Sequence, residues 1–215
     1  MSVGPVTLEQ LKSSEGEPFR QLYTIYAASI TPREQKPEDW LGAMVRAPEY
    51  RVWIAKAAGR VLGFSILFLP PAAGFALLEY MAVAPERRGE GLGGKLFRRT
   101  VEHAATPQGG KLPVLLEIDS DREASSDRAT RTNRERFYRR LGCMKLAGLR
   151  YLMPLRGVGP APEMDLMVYG AEPRLPRGDL KRWLGTIYRD VYHCSPDDPR
   201  ILQMLQPLPD PVLVE

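Results

Sequence analysis

The feature that most constrains this chain is a glycine run, Gly89-Glu90-Gly91-Leu92-Gly93-Gly94, set between an apolar stretch and an amphipathic one. Ahead of it, Phe75 to Val83 is almost continuously apolar, the pattern of a strand buried on both faces. Behind it, Leu92, Leu96, Val101 and Ala104 recur on one face of a helix. Val114-Leu115-Leu116-Glu117-Ile118 forms the next apolar run. Strand, loop, helix and strand therefore make a crossover unit, which joins parallel strands. The centre of the chain is α/β.

The flanks extend that reading. Phe19, Leu22, Tyr23, Tyr26 and Ile30 predict a helix, and a second one starts near Pro37 and carries Trp40, Leu41, Met44 and Val45. Val52–Ala55 and Val61–Phe68 read as strands of a hairpin turning at Ala58-Gly59. A charged helix ends at Phe137-Tyr138-Arg139-Arg140-Leu141-Gly142, with Gly142 as the stop. Strands are predicted near Met144 to Tyr151 and Asp165 to Val168, joined by a Pro/Gly-rich connection at Gly157 to Pro162. Leu180, Trp183, Leu184, Ile187, Tyr188 and Val191 make one helical stripe after Asp179, a candidate cap, and a proline-rich tail follows. A chain of 215 residues, 44% hydrophobic, suits one core. The expected division is a domain over 1–170, with a helix and tail at 171–215 packed on it. Trp40, Trp53, Phe64 and Phe68 are expected in that core.

Composition narrows the function classes. No apolar stretch approaches the roughly 20 residues of a membrane-spanning helix, and Met1 to Leu11 lacks a signal pattern, so a cytoplasmic protein without membrane attachment is expected. Two cysteines and two histidines, dispersed, supply no metal-ligand cluster and no disulfide framework. Thirty basic against 26 acidic residues give a net charge of only +4, spread along the chain, which does not point to nucleic acid. The basic residues beside the glycines, Arg87, Arg88, Lys95, Arg98 and Arg99, suit a phosphorylated ligand instead.

The glycines satisfy several patterns. As GxGxxG they suit a dinucleotide, with Glu117 or Asp119 as the acidic partner, but five residues, Ala84 to Arg88, intervene where a tight turn is needed. As a P-loop they fail, because Leu96 stands where Ser or Thr must hold magnesium. A plain structural turn opening a helix is a further reading. The third functional pattern is Arg-x-x-Gly-x-Gly at Arg88, Gly91 and Gly93, following Tyr80-Met81-Ala82-Val83-Ala84-Pro85. Glycines there let backbone N–H groups meet a pyrophosphate, and the helix dipole, Arg88 and Lys95 add positive charge.

On these residues, with the element order and the later Phe137-Tyr138-x-x-Leu141-Gly142, the sequence from Leu8 to Val168 resembles the GNAT superfamily of N-acetyltransferases. The resemblance implies a mixed, mainly antiparallel sheet with one parallel splayed strand pair and flanking helices. It also implies acetyl-coenzyme A as co-substrate, with no metal. The coenzyme would be held by the backbone of Met81, Ala82 and Val83, by Arg88, Gly89, Glu90, Gly91, Leu92, Gly93, Gly94 and Lys95, and by the later helix. Family members commonly have Asn seven residues before the helix tyrosine. That place is Arg131 here, and Asn133 lies two positions late.

Tyr138 is by resemblance the acid that protonates the departing thiolate. Amine acetylation also needs a base, since a free lysine-type amine has a pKa of about 10.4. Glu79, the ionisable residue in an apolar strand, is the first candidate, with a structural ion pair as its other reading. Glu117 is the second. The activity expected is acetyl transfer to a primary amine of a small molecule or peptide, by a monomer or homodimer. A non-catalytic acyl-coenzyme A sensor is the alternative. Tyr26, Ser29, Gln35, Tyr151 and Met153 are expected to line the acceptor pocket.

Overall fold

The computed structural model describes residues 5–122, 126–155 and 163–215; the expected connection at Gly157 to Pro162 lies outside them. The described chain divides into two compact units, one running to Pro71 and including Leu77–Ala105, the other Ala72–Ala76 with the residues from Thr106 onward.

In the first unit β1 (Thr7–Gln10), β2 (Tyr50–Ala57), β3 (Arg60–Phe68) and β4 (Ala76–Val83) pair in that order, each antiparallel to the next. The β2–β3 hairpin turns at Ala58 and Gly59, whose φ angles of 47° and 77° are those of a tight two-residue turn. One face of these strands packs Val52, Ile54, Phe64 and Ile66 against α1 (Glu17–Ser29) and α2 (Glu38–Arg46). The other packs Trp53, Ala55 and Leu62 against Leu92 and Leu96 of α3 (Leu92–Glu102). Covering on both faces is why the strands read as continuous apolar runs rather than alternating ones. Trp53, Phe64 and Phe68 are buried as expected, whereas Trp40 is 38% exposed, because Leu41 and Met44 form the inward face of α2.

In the second unit β8 (Glu163–Tyr169) pairs antiparallel with β5 (Val114–Asp119), β6 (Cys143–Lys145) and β7 (Tyr151–Leu152). The strand expected from Met144 to Tyr151 is thus two short ones, parted by a turn with Gly148 at φ 73°. α4 (Arg128–Arg140) stops before Gly142, at φ 94°. The apolar stripe expected after Asp179 is buried along α5 (Arg177–Asp190), but Pro176 holds the cap position, and Asp179 lies inside the first turn, paired with Arg182. The proline-rich tail holds more order than its composition suggests: α6 (Pro199–Leu205), capped by the Asp198 side chain, and β10 (Val212–Leu213) paired with β9 (Arg174–Leu175). The mixed α/β class expected from the sequence is observed.

Candidate functional site

The glycine loop begins with a single turn of 3-10 helix, Pro85–Arg87, after β4. Gly89 and Gly91 have φ angles of 83° and 76°, and a Cβ on either would meet nothing within 4 Å. Their requirement for glycine therefore comes from backbone conformation, and the space beside them is open. Gly91 is the left-handed N-cap of α3 and offers no side chain to its amides. The first N–H groups of a helix have no acceptor within it, so those of Leu92, Gly93 and Gly94 form the donor end of the dipole. An open, donor-rich concavity of this kind fits a pyrophosphate.

α3 is seated by two contacts on β3. A Cβ on Gly63 would lie 3.0 Å from a Leu96 methyl, so glycine is what lets helix and strand approach. Ser65 and Thr100 hydroxyls also meet at 2.6 Å in the buried interface. The basic side chains behave unequally. Arg88 turns back to the Val83 carbonyl at 3.2 Å, with Ser29 Oγ at 3.4 Å, and Arg87 pairs with Glu90 at 2.6 Å, while Lys95 projects into solvent.

β4 carries a feature that periodicity did not reveal. Ile66 pairs with Tyr80 and Leu67 with Leu78, so Glu79 is an extra residue, a β-bulge. A bulge re-aims side chains. Here Glu79 and Tyr80 both reach the segment between α1 and α2: Tyr80 donates to the Glu34 carbonyl at 3.1 Å, and the buried Glu79 carboxylate pairs with Lys36. Glu79 Oε2 has no hydrogen-bond partner among the described residues. Beyond the bulge the backbone sorts by strand alternation. Ala84 donates to Leu62 at 2.9 Å, and the Ala82 carbonyl lies against Gly63, so residues 82 and 84 face β3. The N–H groups of Met81 and Val83 consequently face the opposite edge.

Several expected pocket residues are already committed to holding this region. The Tyr26 hydroxyl accepts from the Lys36 N–H at 2.6 Å, and its ring meets Tyr80 edge-on. Burial pushes the Tyr26 phenol above its usual range. Gln35 donates to the Ala27 and Ile30 carbonyls, and Ser29 faces Arg88.

In the second unit Tyr138 is buried in α4 with Phe137 edge-on at 5.0 Å, and burial pushes its phenol up to about 12. Arg131, seven residues earlier, shares its helical face; it donates to Asp127 and to the Ser120 carbonyl. Asn133 is exposed and, five residues from Tyr138, points about 140° away. Glu117 accepts from the Tyr192 hydroxyl at 2.6 Å. Tyr151 and Met153 are buried in the same unit, and burial together with the Glu117 charge raises the Tyr151 phenol well above its usual value. Asp121, Glu135 and Asp165 converge within 4.8 Å of one another, but the Lys145 ammonium already bridges Glu135 and Asp165.

Residues 48–142, which contain the hairpin, β4, the glycine loop and α4, match the family model of the acetyltransferase (GNAT) domain. The matched segment is a little under half of the chain. No curated protein sequence matches it. A putative GNAT acetyltransferase from Bacteroides thetaiotaomicron superposes with a TM-score of 0.69 at 21% identity, covering 86% of this chain and 98% of that one. The ribosomal-protein-S18-alanine N-acetyltransferase from Escherichia coli gives 0.55 at 18%, covering 77% and 93%. A GNAT acetyltransferase from Elizabethkingia anophelis with acetyl-CoA bound gives 0.51 at 14%, covering 76% and 97%. At these identities the likeness is one of fold. It supports the GNAT fold expected from the sequence. Among the described residues no helix is long and apolar enough to cross a membrane.

Proposed function

We propose that this protein is an acetyl-CoA-dependent N-acetyltransferase that acts on a primary amine of a small molecule or peptide. The observation that carries the reading is the pairing of an open left-handed glycine cradle at Gly89 and Gly91 with the bulge that buries Glu79 on the strand feeding it. Either feature alone occurs in ordinary structural turns and strands.

Acetyl-CoA supplies an activated acyl thioester, so the protein needs no covalent intermediate of its own. The amides of Gly89 to Gly94, with the α3 dipole and Lys95, hold the pyrophosphate. Met81 and Val83 N–H groups face the edge where an extended arm can bond, and one of them polarises the thioester carbonyl. Glu79 takes the proton from the acceptor's ammonium through its unpartnered oxygen. Tyr138, assigned by resemblance, supplies a proton to the departing sulfur. Its phenol, near 12, is fully protonated at neutral pH and so carries the proton that this step requires.

Two measurements test the proposal. Acetyl-CoA at a hundredfold excess over its Kd should add about 2.7 kcal/mol of stability, read as a raised Tm. Acceptor-dependent thiol release should then appear with one class in a panel of amino acids, polyamines, aminoglycosides, arylamines and peptide N-termini. No rise in Tm overturns the reading, and a rise without release from any acceptor leaves a coenzyme-sensing module.

A further inference from the structure

The environment of Lys36 is unusual for a lysine. Its side chain is 13% exposed, whereas Lys12 and Lys181 are exposed at the surface. It follows a single 3-10 turn, Pro32–Glu34, that is held in place from three sides. Tyr26 accepts from its backbone N–H, Tyr80 donates to the Glu34 carbonyl, and Gln35 caps the end of α1. So anchored, the segment aims the ammonium at the bulged Glu79 and sets it 5.9 Å from the Tyr80 ring centroid.

A purely structural buried ion pair survives desolvation by satisfying its remaining hydrogen-bond capacity. This one does not, because Glu79 keeps an oxygen without a partner. Glu79 also precedes Met81 by two residues, about 7 Å along a strand. The chain therefore presents an amine, a proton acceptor beside it, and, on the reading proposed above, a thioester-polarising amide a short step further on.

We infer that Lys36 is an internal acceptor, so that the protein acetylates its own Lys36 side chain. The inference rests on the proposed coenzyme site. Glu79 takes a proton from the Lys36 ammonium, and the freed Nζ lone pair attacks the thioester carbonyl carbon. The N–C bond forms, the C–S bond breaks and the sulfur leaves as thiolate. The second amine proton passes to solvent, and the proton held on Glu79 passes by way of solvent to the thiolate, which restores the carboxylate. The net change is lysine ammonium plus acetyl-CoA giving Nε-acetyl-lysine, free coenzyme A and one proton. With its ammonium gone, Lys36 no longer occupies Glu79, and the carboxylate is released for an external amine.

The test incubates the full chain with acetyl-CoA and no acceptor, followed by intact mass and peptide mapping. One acetyl group should appear at Lys36, about a hundredfold faster than at Lys12 or Lys181, as an oriented intramolecular reaction requires. The rate constant should not vary with protein concentration. Trace labelling of the coenzyme-free protein with acetic anhydride should give the opposite order, with Lys36 slower than the exposed lysines. Lys36→Arg keeps the cation but removes the titratable amine, and should abolish the modification while acetyl-CoA still raises Tm. Glu79→Gln should slow it by about a hundredfold. Modification no faster than at Lys12, a rate that scales with protein concentration, or no modification despite a raised Tm overturns the inference alone. No rise in Tm overturns the coenzyme site and this inference with it.

Discussion

The two units treat buried charge differently. In the first, Glu79 has Lys36 as its ion-pair partner and an oxygen left over. In the second, Asp165 receives Arg122 and Lys145, Glu135 receives Lys145 and Arg139, and Glu163 receives Arg122 and Arg150. The shared cations and hydrogen bonds hold the Glu135 and Glu163 carboxyls below their usual range. A carboxylate wrapped by several cations is fixed as an anion and suits a structural role. One with a single ionic partner and an oxygen left over is placed to accept a proton. On the mechanism proposed above, the number of ionic partners, more than burial, separates a scaffold carboxylate from a reactive one.

The largest expected effect breaks the pair itself. Glu79→Ala leaves the Lys36 ammonium buried without a counter-charge, and should cost about 3 kcal/mol or more in urea denaturation. Glu79→Gln keeps a hydrogen-bond acceptor and should cost less, while losing turnover as fully. A Glu79→Ala variant of wild-type stability would show that Lys36 swings out to water, and would remove the distinction between the units.

The alkaline side sharpens the comparison next. Burial raises Tyr138 from 10.0 to about 12 and Cys143 from 9.0 to about 12. A folded value above the unfolded one means that the folded state binds the extra proton. The stabilisation is complete below about pH 9 and is lost as pH rises toward 12. Tyr138 accounts for on the order of 2–3 kcal/mol of that loss, which Tyr138→Phe should remove from the pH 10 to 12 limb of the stability curve. The same variant should lower turnover with little change in acetyl-CoA affinity. Unchanged turnover takes Tyr138 out of the mechanism and leaves its burial as the whole account.

Much of this was legible in the sequence. Phe75 to Val83, the glycines and the Leu92 face belong to one contiguous crossover, so local pattern sufficed for β4, the loop and α3. The bulge at Glu79 was not, because an insertion of one residue leaves an apolar run apolar. Lys36 escaped for another reason: it sits in a loop beside Pro37, 43 residues from Glu79, and only tertiary structure joins them. Glu79 itself carried the one available signal, an ionisable residue in an apolar strand. α6 was hidden by prolines, one of which, Pro199, opens the helix at its first position, where a missing N–H costs nothing. Trp40 misled because an aromatic at a periodic position need not lie on the covered side of a short helix.

A smaller effect separates glycine as ligand cradle from glycine as turn. Gly91 in the first unit and Gly170 in the second have φ angles of 76° and 72°, and both have open space where a Cβ would go. Alanine at either should cost about 1–2 kcal/mol in left-handed strain, with similar falls in Tm. Only Gly91→Ala should also weaken the stabilisation by acetyl-CoA, because the amides it positions belong to the proposed cradle. Equal loss of the coenzyme response in both variants would mean that general destabilisation, and not the loop, governs binding.

The smallest effect tests the network from its rim. Arg150 is 71% exposed and meets Glu163 at 2.6 Å, while Arg122 already bonds the other oxygen of the same carboxylate. Solvent screens the outer pair, and the inner partner keeps the anion satisfied, so Arg150→Ala should shift stability by no more than about 0.5 kcal/mol. Arg122→Ala strips a cation from both Glu163 and Asp165, and should cost several times as much. Urea midpoints of the two variants and their double mutant decide the point. If Arg150→Ala matched Arg122→Ala, the carboxylates of the second unit would depend on each cation singly, as Glu79 depends on Lys36, and shared compensation would no longer distinguish the units.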